Sequence, residues 1–194
     1  IDCVLIEAGH LEYSAKLQET FNGVNNGNFD FDLRNNRIKQ FGGSANIWGK
    51  RCRPLDPVDY KNWSKNQINL LNYQQEASEI LHVKNEFDEN FLNTSLSQVE
   101  FNYSEIDFPN YYLDKLSKSN FIDVILNSSF LKLEGKFGNF KSAEIIDNNS
   151  KIKYTINSDF FVFGCGCIEN SRFLLLLQKK YKLLDQNIPV GKYW

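Results

Sequence analysis

No methionine occurs anywhere in the 194 residues, and histidine occurs only twice, at His10 and His82. The chain opens directly on the strand-like run Ile1-Asp-Cys-Val-Leu-Ile-Glu7 and closes on Val190-Gly-Lys-Tyr-Trp194, so an internal segment of a longer chain is expected. Long apolar runs are also missing. The longest is Phe173–Leu177, far short of the ~20 residues a membrane-crossing helix needs, which predicts no transmembrane segment. No basic stretch leading into an apolar one opens the sequence, which argues against a secretory signal. Cysteine is scarce, and Cys165-Gly-Cys167 is too tight for a zinc knuckle, so no metal is expected. The four cysteines read as reduced thiols of a cytoplasmic protein. An excess of one charge is absent too. The 22 Lys and Arg against 24 Asp and Glu give a net charge of −2, which excludes a broad basic field and with it a nucleic-acid partner.

What is present suits a folded protein of one domain, or one with a modest subdomain. Hydrophobic residues make up 42% and aromatics 14%, enough for a core and against wholesale disorder. Residues 2–7 form a β-branched and apolar run ended by Glu7-Ala8-Gly9, the signature of a buried strand. Leu11 to Phe21 has a loose helical spacing, and residues 22–36, rich in Asn with Gly23 and Gly27, read as a loop. Arg37 to Pro57 should be irregular backbone opening into a helical turn. Residues 67–81 have the period of an amphipathic helix, 84–108 have no period and suit an exposed insertion, and Tyr111–Leu116 suggests a further helix. Three strands are predicted next, at Phe121–Leu133, Lys141–Ile146 and Ile152–Phe163, separated by turn signals at 135–139 and 147–150. Ser171–Lys179 then reads as a helix with a Leu-rich face.

Three segments could carry chemistry. A carboxylate ending a parallel strand, as Glu7 does, can take both hydroxyls of an adenosine ribose, although such a residue is more often simply solvated. Gly42-Gly43-Ser44 at a loop-to-helix junction would let backbone N–H groups approach a phosphate, and a flexible turn explains the same residues. Gly164-Cys165-Gly166 ahead of Glu169-Asn-Ser-Arg172 would admit a flat or phosphate-bearing ligand, or merely turn a strand–helix corner.

In this order and spacing the three segments resemble the glucose–methanol–choline family of FAD-dependent oxidoreductases, over nearly the whole chain. Val4-Leu-Ile-Glu-Ala-Gly9 resembles the second strand of that family's FAD domain. Arg37-x-x-x-x-Gly-Gly-Ser44 resembles its Arg-…-Gly-Gly-Ser signature, and the run from Gly42 to Asp59 is similar to the sugar dehydrogenase and pyranose-oxidase-like branch. Gly164-Cys-Gly-Cys-Ile-Glu-Asn-Ser-Arg-Phe-Leu-Leu175 and Val190-Gly-Lys-Tyr193 resemble its later signatures. The resemblance implies an incomplete α/β, FAD-binding Rossmann-like domain with an antiparallel β-meander and part of a substrate-domain insertion. Residues 1–83 would be part of the FAD-binding domain, 84–110 an insertion, and 111–194 the meander and the return to the FAD-binding domain. Val4–Glu7 and Phe160–Phe163 would be neighbouring buried parallel strands.

The implied activity is oxidation of a CH–OH group of an alcohol or sugar. The implied cofactor-binding residues are Glu7, Gly9, Arg37, Gly42, Gly43, Ser44, Asn46, Trp48, Gly49, Phe130, Gly164, Gly166 and Asn170. FAD would be non-covalent, because Ile47 stands where some relatives carry a tethering His. Ser64 replaces a Pro and Cys167 a Gly of the family pattern. The family's glycine fingerprint and its catalytic base have no counterpart among these residues, and neither His10 nor His82 fits the base. Two other classes compete: a nicotinamide-dependent Rossmann dehydrogenase, which has no need of Gly42-Gly-Ser44 with Trp48, and a non-catalytic remnant or interaction domain.

Overall fold

The computed structural model describes residues 2–27, 32–63, 69–84, 89–91, 97–136 and 138–192. In chain order its strands and helices are β1 (Cys3–Ile6), α1 (Ala15–Gln18), β2 (Arg51–Cys52), α2 (Gln74–Leu81), β3 (Glu89–Phe91), β4 (Ser97–Val99), β5 (Asn102–Tyr103), α3 (Phe108–Ser117), β6 (Ile122–Ile125), β7 (Ser128–Lys136), β8 (Asn139–Asp147), β9 (Lys153–Asn157) and α4 (Gly166–Leu175). The architecture is a mixture of helices and sheets. Among the described residues no helix is long and apolar enough to cross a membrane. The chain divides into two compact units, Ile1–Gly43 with Leu116–Trp194, and Ser44–Lys115.

In the first unit β1 pairs in parallel with β6, Cys3 opposite Ile122 and Ile6 opposite Ile125. The run Phe121–Leu133, read from sequence as one strand, is two. Asn127 takes a left-handed conformation (φ 50°) between them. Its N–H donates to Gly9 O (2.8 Å), and Ser128 N–H donates to Glu7 O (2.9 Å), so the break is held by the backbone just past β1. β7, β8 and β9 then form an antiparallel meander in sequential order. Ile145 at its centre is fully buried, with Ala143 and Leu133 beside it. Gly135 sits at a register shift with φ 133°, where an added Cβ would lie 2.6 Å from Asn139 O. The turn from β8 to β9 is closed by Asp147, whose Oδ1 accepts from Asn149 N (2.8 Å), Ser150 N (2.6 Å) and Ser150 Oγ (3.0 Å).

Two expectations are overturned here. Phe160–Phe163 is not a strand, and β1 takes β6 as its parallel neighbour instead. β9 ends at Asn157, where Ser158 Oγ donates to Phe160 O and accepts from Phe160 N, local bonds that compete with a sheet ladder. Phe160 is 86% exposed and Val162 95%, while Phe163 turns inward against Phe130 and Phe173. Nor is β1 buried along its length, since Cys3 and Val4 are exposed and only Leu5 and Ile6 are half-buried.

α4 begins at Gly166 (φ 78°), five residues before the sequence pattern suggests, and passes into a wider turn at Leu176–Lys180. Buried Gln178 fastens the segment that follows, donating to Asp185 O (2.7 Å) and Ile188 O (2.9 Å).

In the second unit β2 pairs antiparallel with β5, and β3 with β4. Strands of three residues are too short to show a period, which is why 84–108 reads as an unpatterned insertion. Ser104 and Ile106 are buried, and Ser104 Oγ donates to Leu81 O at the end of α2. The amphipathic helix read over 67–81 becomes α-helical only at Gln74, because Asn69–Tyr73 is a tight 3₁₀ segment that leads into α2. Residues 67 and 68 of that reading, like Ser64 and Tyr193, lie outside the described residues.

Candidate functional site

Glu7 follows the last residue of β1, and its carboxylate turns back so that Oε1 accepts from Gly9 N (2.6 Å). Burial pushes its pKa up, against the lowering effect of the Gly9 and Ala8 N–H groups and of Lys39. Gly9 has a packing reason to be glycine. A Cβ there would lie 2.5 Å from the Gln40 Cα and N and from the Lys39 carbonyl carbon. The 39–41 backbone runs past this point, with Phe41 N–H donating to His10 O (2.8 Å). Lys39 is desolvated enough to lower its pKa, while Glu169 and Glu7 work in the opposite direction.

Arg37 is enclosed by the chain. Its Nε donates to Leu33 O (3.1 Å), Nη2 to Phe21 O (3.0 Å) and Nη1 to Glu169 Oε1, and the guanidinium lies 4.2 Å above the Phe21 ring. Glu169 Oε2 also accepts from Arg172 Nε (2.7 Å). Gly42 (φ 88°) and Gly43 (φ 51°) follow in the left-handed region that favours glycine. The turn they open is a single 3₁₀ turn, Gly43–Asn46, with Gly43 N–H already donating to Gln40 O (2.8 Å).

The Gly164–Gly166 corner is fastened by Asn170, whose Nδ2 donates to Phe163 O (3.0 Å) and whose Oδ1 accepts from Cys165 N (3.3 Å). Around both glycines there is open space: a Cβ on Gly164 or Gly166 would meet nothing within 4 Å among the described residues. Cys165 is exposed by area, yet enough protein surrounds its sulfur that desolvation raises the thiol pKa, and the charges of Glu169 and Glu7 raise it further. Cys52 is raised as well, by burial. Neither thiol has the depressed pKa of a cysteine nucleophile. Phe130, expected at the cofactor, packs edge-on against Phe163 (5.1 Å between centroids) and Phe173 (5.0 Å).

Glu7, Gly9, Arg37, Gly42, Gly43, Phe130, Gly164, Gly166 and Asn170 thus share the first unit. Ser44, Asn46, Trp48 and Gly49 belong to the second. Trp48 packs against Phe108 (5.6 Å), its buried Nε1 has no hydrogen-bond partner among the described residues, and a Cβ on Gly49 would meet nothing within 4 Å. Asp56 and Asp59 cap the Pro57–Tyr60 turn reciprocally, with Asp56 N–H donating to Asp59 Oδ2 (2.8 Å). An open depression of about 540 Å³ beyond α4, lined by Lys179, Lys182, Leu183, Leu184, Asp185 and Gln186, contains none of the expected site residues. Among the described residues no cluster of His, Cys, Asp and Glu could hold a metal ion.

Two residues central to this arrangement were not chosen from sequence. Glu169 lies within the Gly164–Leu175 motif, and its acidic character beside Asn170 is the signal the sequence offers. Lys39 gave none, because its neighbours come from distant parts of the chain. No known family model matches the chain, and no curated protein matches it.

Proposed function

We propose that this chain contributes the FAD-binding part of an oxidoreductase acting on the CH–OH group of an alcohol or sugar, a Rossmann-like domain of the glucose–methanol–choline kind. The observation that carries this reading is the Gly164–Gly166 corner. Gly164 has an ordinary φ, and among the described residues nothing lies within 4 Å of a would-be Cβ, so packing within them gives no reason for glycine there. Close approach by a ligand does. Glu7, an acid following a parallel strand, belongs to the same compact unit as this corner.

The residues of the first unit fit a dinucleotide in part. Glu7 and the backbone of Gly164–Gly166 would hold it, while Arg37, enclosed by the chain, would not touch it. When bound, FAD supplies the redox chemistry as acceptor of a hydride. The chain's own contribution is to bind and orient. Glu7 offers acceptor oxygens, the Gly164–Gly166 corner leaves room for backbone approach, and Asn170 fixes the corner. Neither histidine serves as base in this reading: His82 ends α2 with its ring edge-on to Tyr111, and His10 carries the backbone bridge to the 40–41 segment. The base and the glycine fingerprint would come from outside these residues.

The test is purification of the complete natural protein. The expected result is a yellow protein absorbing near ~450 nm, as flavoproteins do, with dye reduction that depends on an added alcohol or sugar. A complete protein that stays colourless after incubation with FAD overturns the reading.

A further inference from the structure

Arg37 was expected to serve the cofactor directly, yet all three nitrogens of its guanidinium donate to the chain itself. Its side chain is only 15% exposed, and that of its partner Glu169 only 19%. The two residues lie 132 positions apart. Arg37 stands on the segment that runs into Gly42 and Gly43, and Glu169 stands in the first turn of α4, three residues after Gly166. Arg172, on the same helix, holds the second oxygen of Glu169 (2.7 Å), so the carboxylate is fixed in orientation before Arg37 is considered.

We infer that Arg37 and Glu169 are positioning residues. Their ion pair ties the Gly42–Gly43 segment to the Gly164–Gly166 corner and sets the spacing of the two stretches of backbone, and neither side chain touches ligand. The ligand's identity rests on the flavin reading above, whereas the coupling of the two segments does not. The cost of breaking the pair falls on whichever charge remains, since both are largely withdrawn from water and a solvated partner is not at hand. A Lys at position 37 would keep the charge but lose the planar fork that reaches Phe21 O, Leu33 O and Glu169 together.

The experiment compares wild type with Glu169→Gln, Arg37→Gln, Arg37→Lys and the double Arg37→Gln/Glu169→Gln. It reads amide hydrogen exchange at Gly43 and Cys165, whose N–H groups are bonded at 2.8 and 3.3 Å, with Ile145 in β8 as the global control. FAD and ADP are titrated in parallel. Glu169→Gln should speed exchange at Gly43, and Arg37→Gln at Cys165, each by about tenfold with Ile145 unchanged. Affinity for both probes should fall by a similar factor. The double variant should lose no more than either single one, as expected of two residues acting through one contact, and Arg37→Lys should recover part of the loss. Multiplicative losses, or weaker probe binding with unchanged exchange at the partner segment, would overturn the inference, the latter by making Arg37 a direct ligand contact. If Arg37→Gln unfolds β8 as well, Glu169→Gln, which keeps volume and one acceptor oxygen, decides alone. Failure of wild type to bind either probe would count against the flavin reading, and the exchange measurements would still decide the ion pair.

Discussion

The glycines at Gly9 and Gly164 both follow an apolar run, and the chain treats them in opposite ways. At Gly9 the space a side chain would need is filled by the backbone of Lys39 and Gln40. At Gly164 nothing among the described residues fills it within 4 Å. The first glycine is explained by how the chain packs against itself, and the second is not. The same split runs through the other expected site residues. Arg37, Asn170 and Phe130 hold the fold together, whereas Gly164, Gly166 and Gly49 face open space. A glycine or arginine at an expected motif position therefore does not by itself separate a ligand contact from a packing requirement. The contacts around it do.

The comparison breaks most readily by substitution at the two glycines. Gly9→Ala should cost about 3 kcal/mol in denaturant unfolding, because the clash is with backbone, which moves only with its whole segment. Gly164→Ala should leave stability within about 0.5 kcal/mol of wild type and, on the flavin reading proposed above, weaken FAD binding. Equal stability losses at the two positions would erase the distinction. Gly135→Ala sharpens it within the meander. With φ at 133° and Asn139 O at 2.6 Å, strain and clash combine, and a loss of about 2 kcal/mol in unfolding free energy is expected, read as a lowered urea midpoint.

A smaller effect of opposite sign is expected at the junction of β6 and β7. Asn127 is buried, and neither its Oδ1 nor its Nδ2 has a hydrogen-bond partner among the described residues. Its backbone sits in the left-handed region, which glycine occupies without strain. Asn127→Gly removes an unsatisfied amide worth about 1–3 kcal/mol and costs about 0.5–1 kcal/mol in chain entropy. A net gain of about 1 kcal/mol is expected, measured as a raised melting temperature. A lowered one would mean that an ordered water satisfies the amide.

Much of the meander could be read from the sequence because its turns are local. Asp147-Asn-Asn-Ser150 closes on its own side chain, and Gly135 and Gly138 mark the other hairpin. α3 was legible for a similar reason, as an apolar and aromatic run with no breaker inside it beyond its first turn. What escaped depends on partners far away in sequence. Asn127 looks like any strand residue until Gly9 supplies the carbonyl that fixes its turn. Phe160-Phe-Val-Phe163 has the composition of a buried strand, and its hydrogen bonds go instead to Ser158 and Asn170. The Arg37–Glu169 pair has no periodicity that could announce it. The glycine motifs were visible, but which of them serve packing was not, since that depends on what lies opposite.

The subtlest contrast concerns the carboxylate of the closed corner. Glu7 has its pKa raised above the ordinary 4.5, chiefly by burial, so the folded chain holds its proton to higher pH than the unfolded chain does. Between the unfolded and folded values the native state binds more protons, and stability must fall as pH rises through that window. The Gly9 and Ala8 N–H groups and Lys39 reduce the effect without reversing it. Lys39 behaves as the mirror image. Its folded pKa lies below 10.5, so its own contribution to stability rises with pH as it loses its proton, in an alkaline window separate from that of Glu7. Glu7→Gln abolishes only the acidic window. The urea midpoint of wild type should therefore decline relative to Glu7→Gln as pH is raised from about 4 to about 7, with the two curves parallel above that. A wild type that gains on the Gln variant over the same range would mean that the two N–H groups and Lys39 outweigh desolvation. The carboxylate would then be held ionised, as a charged acceptor already committed to its own backbone.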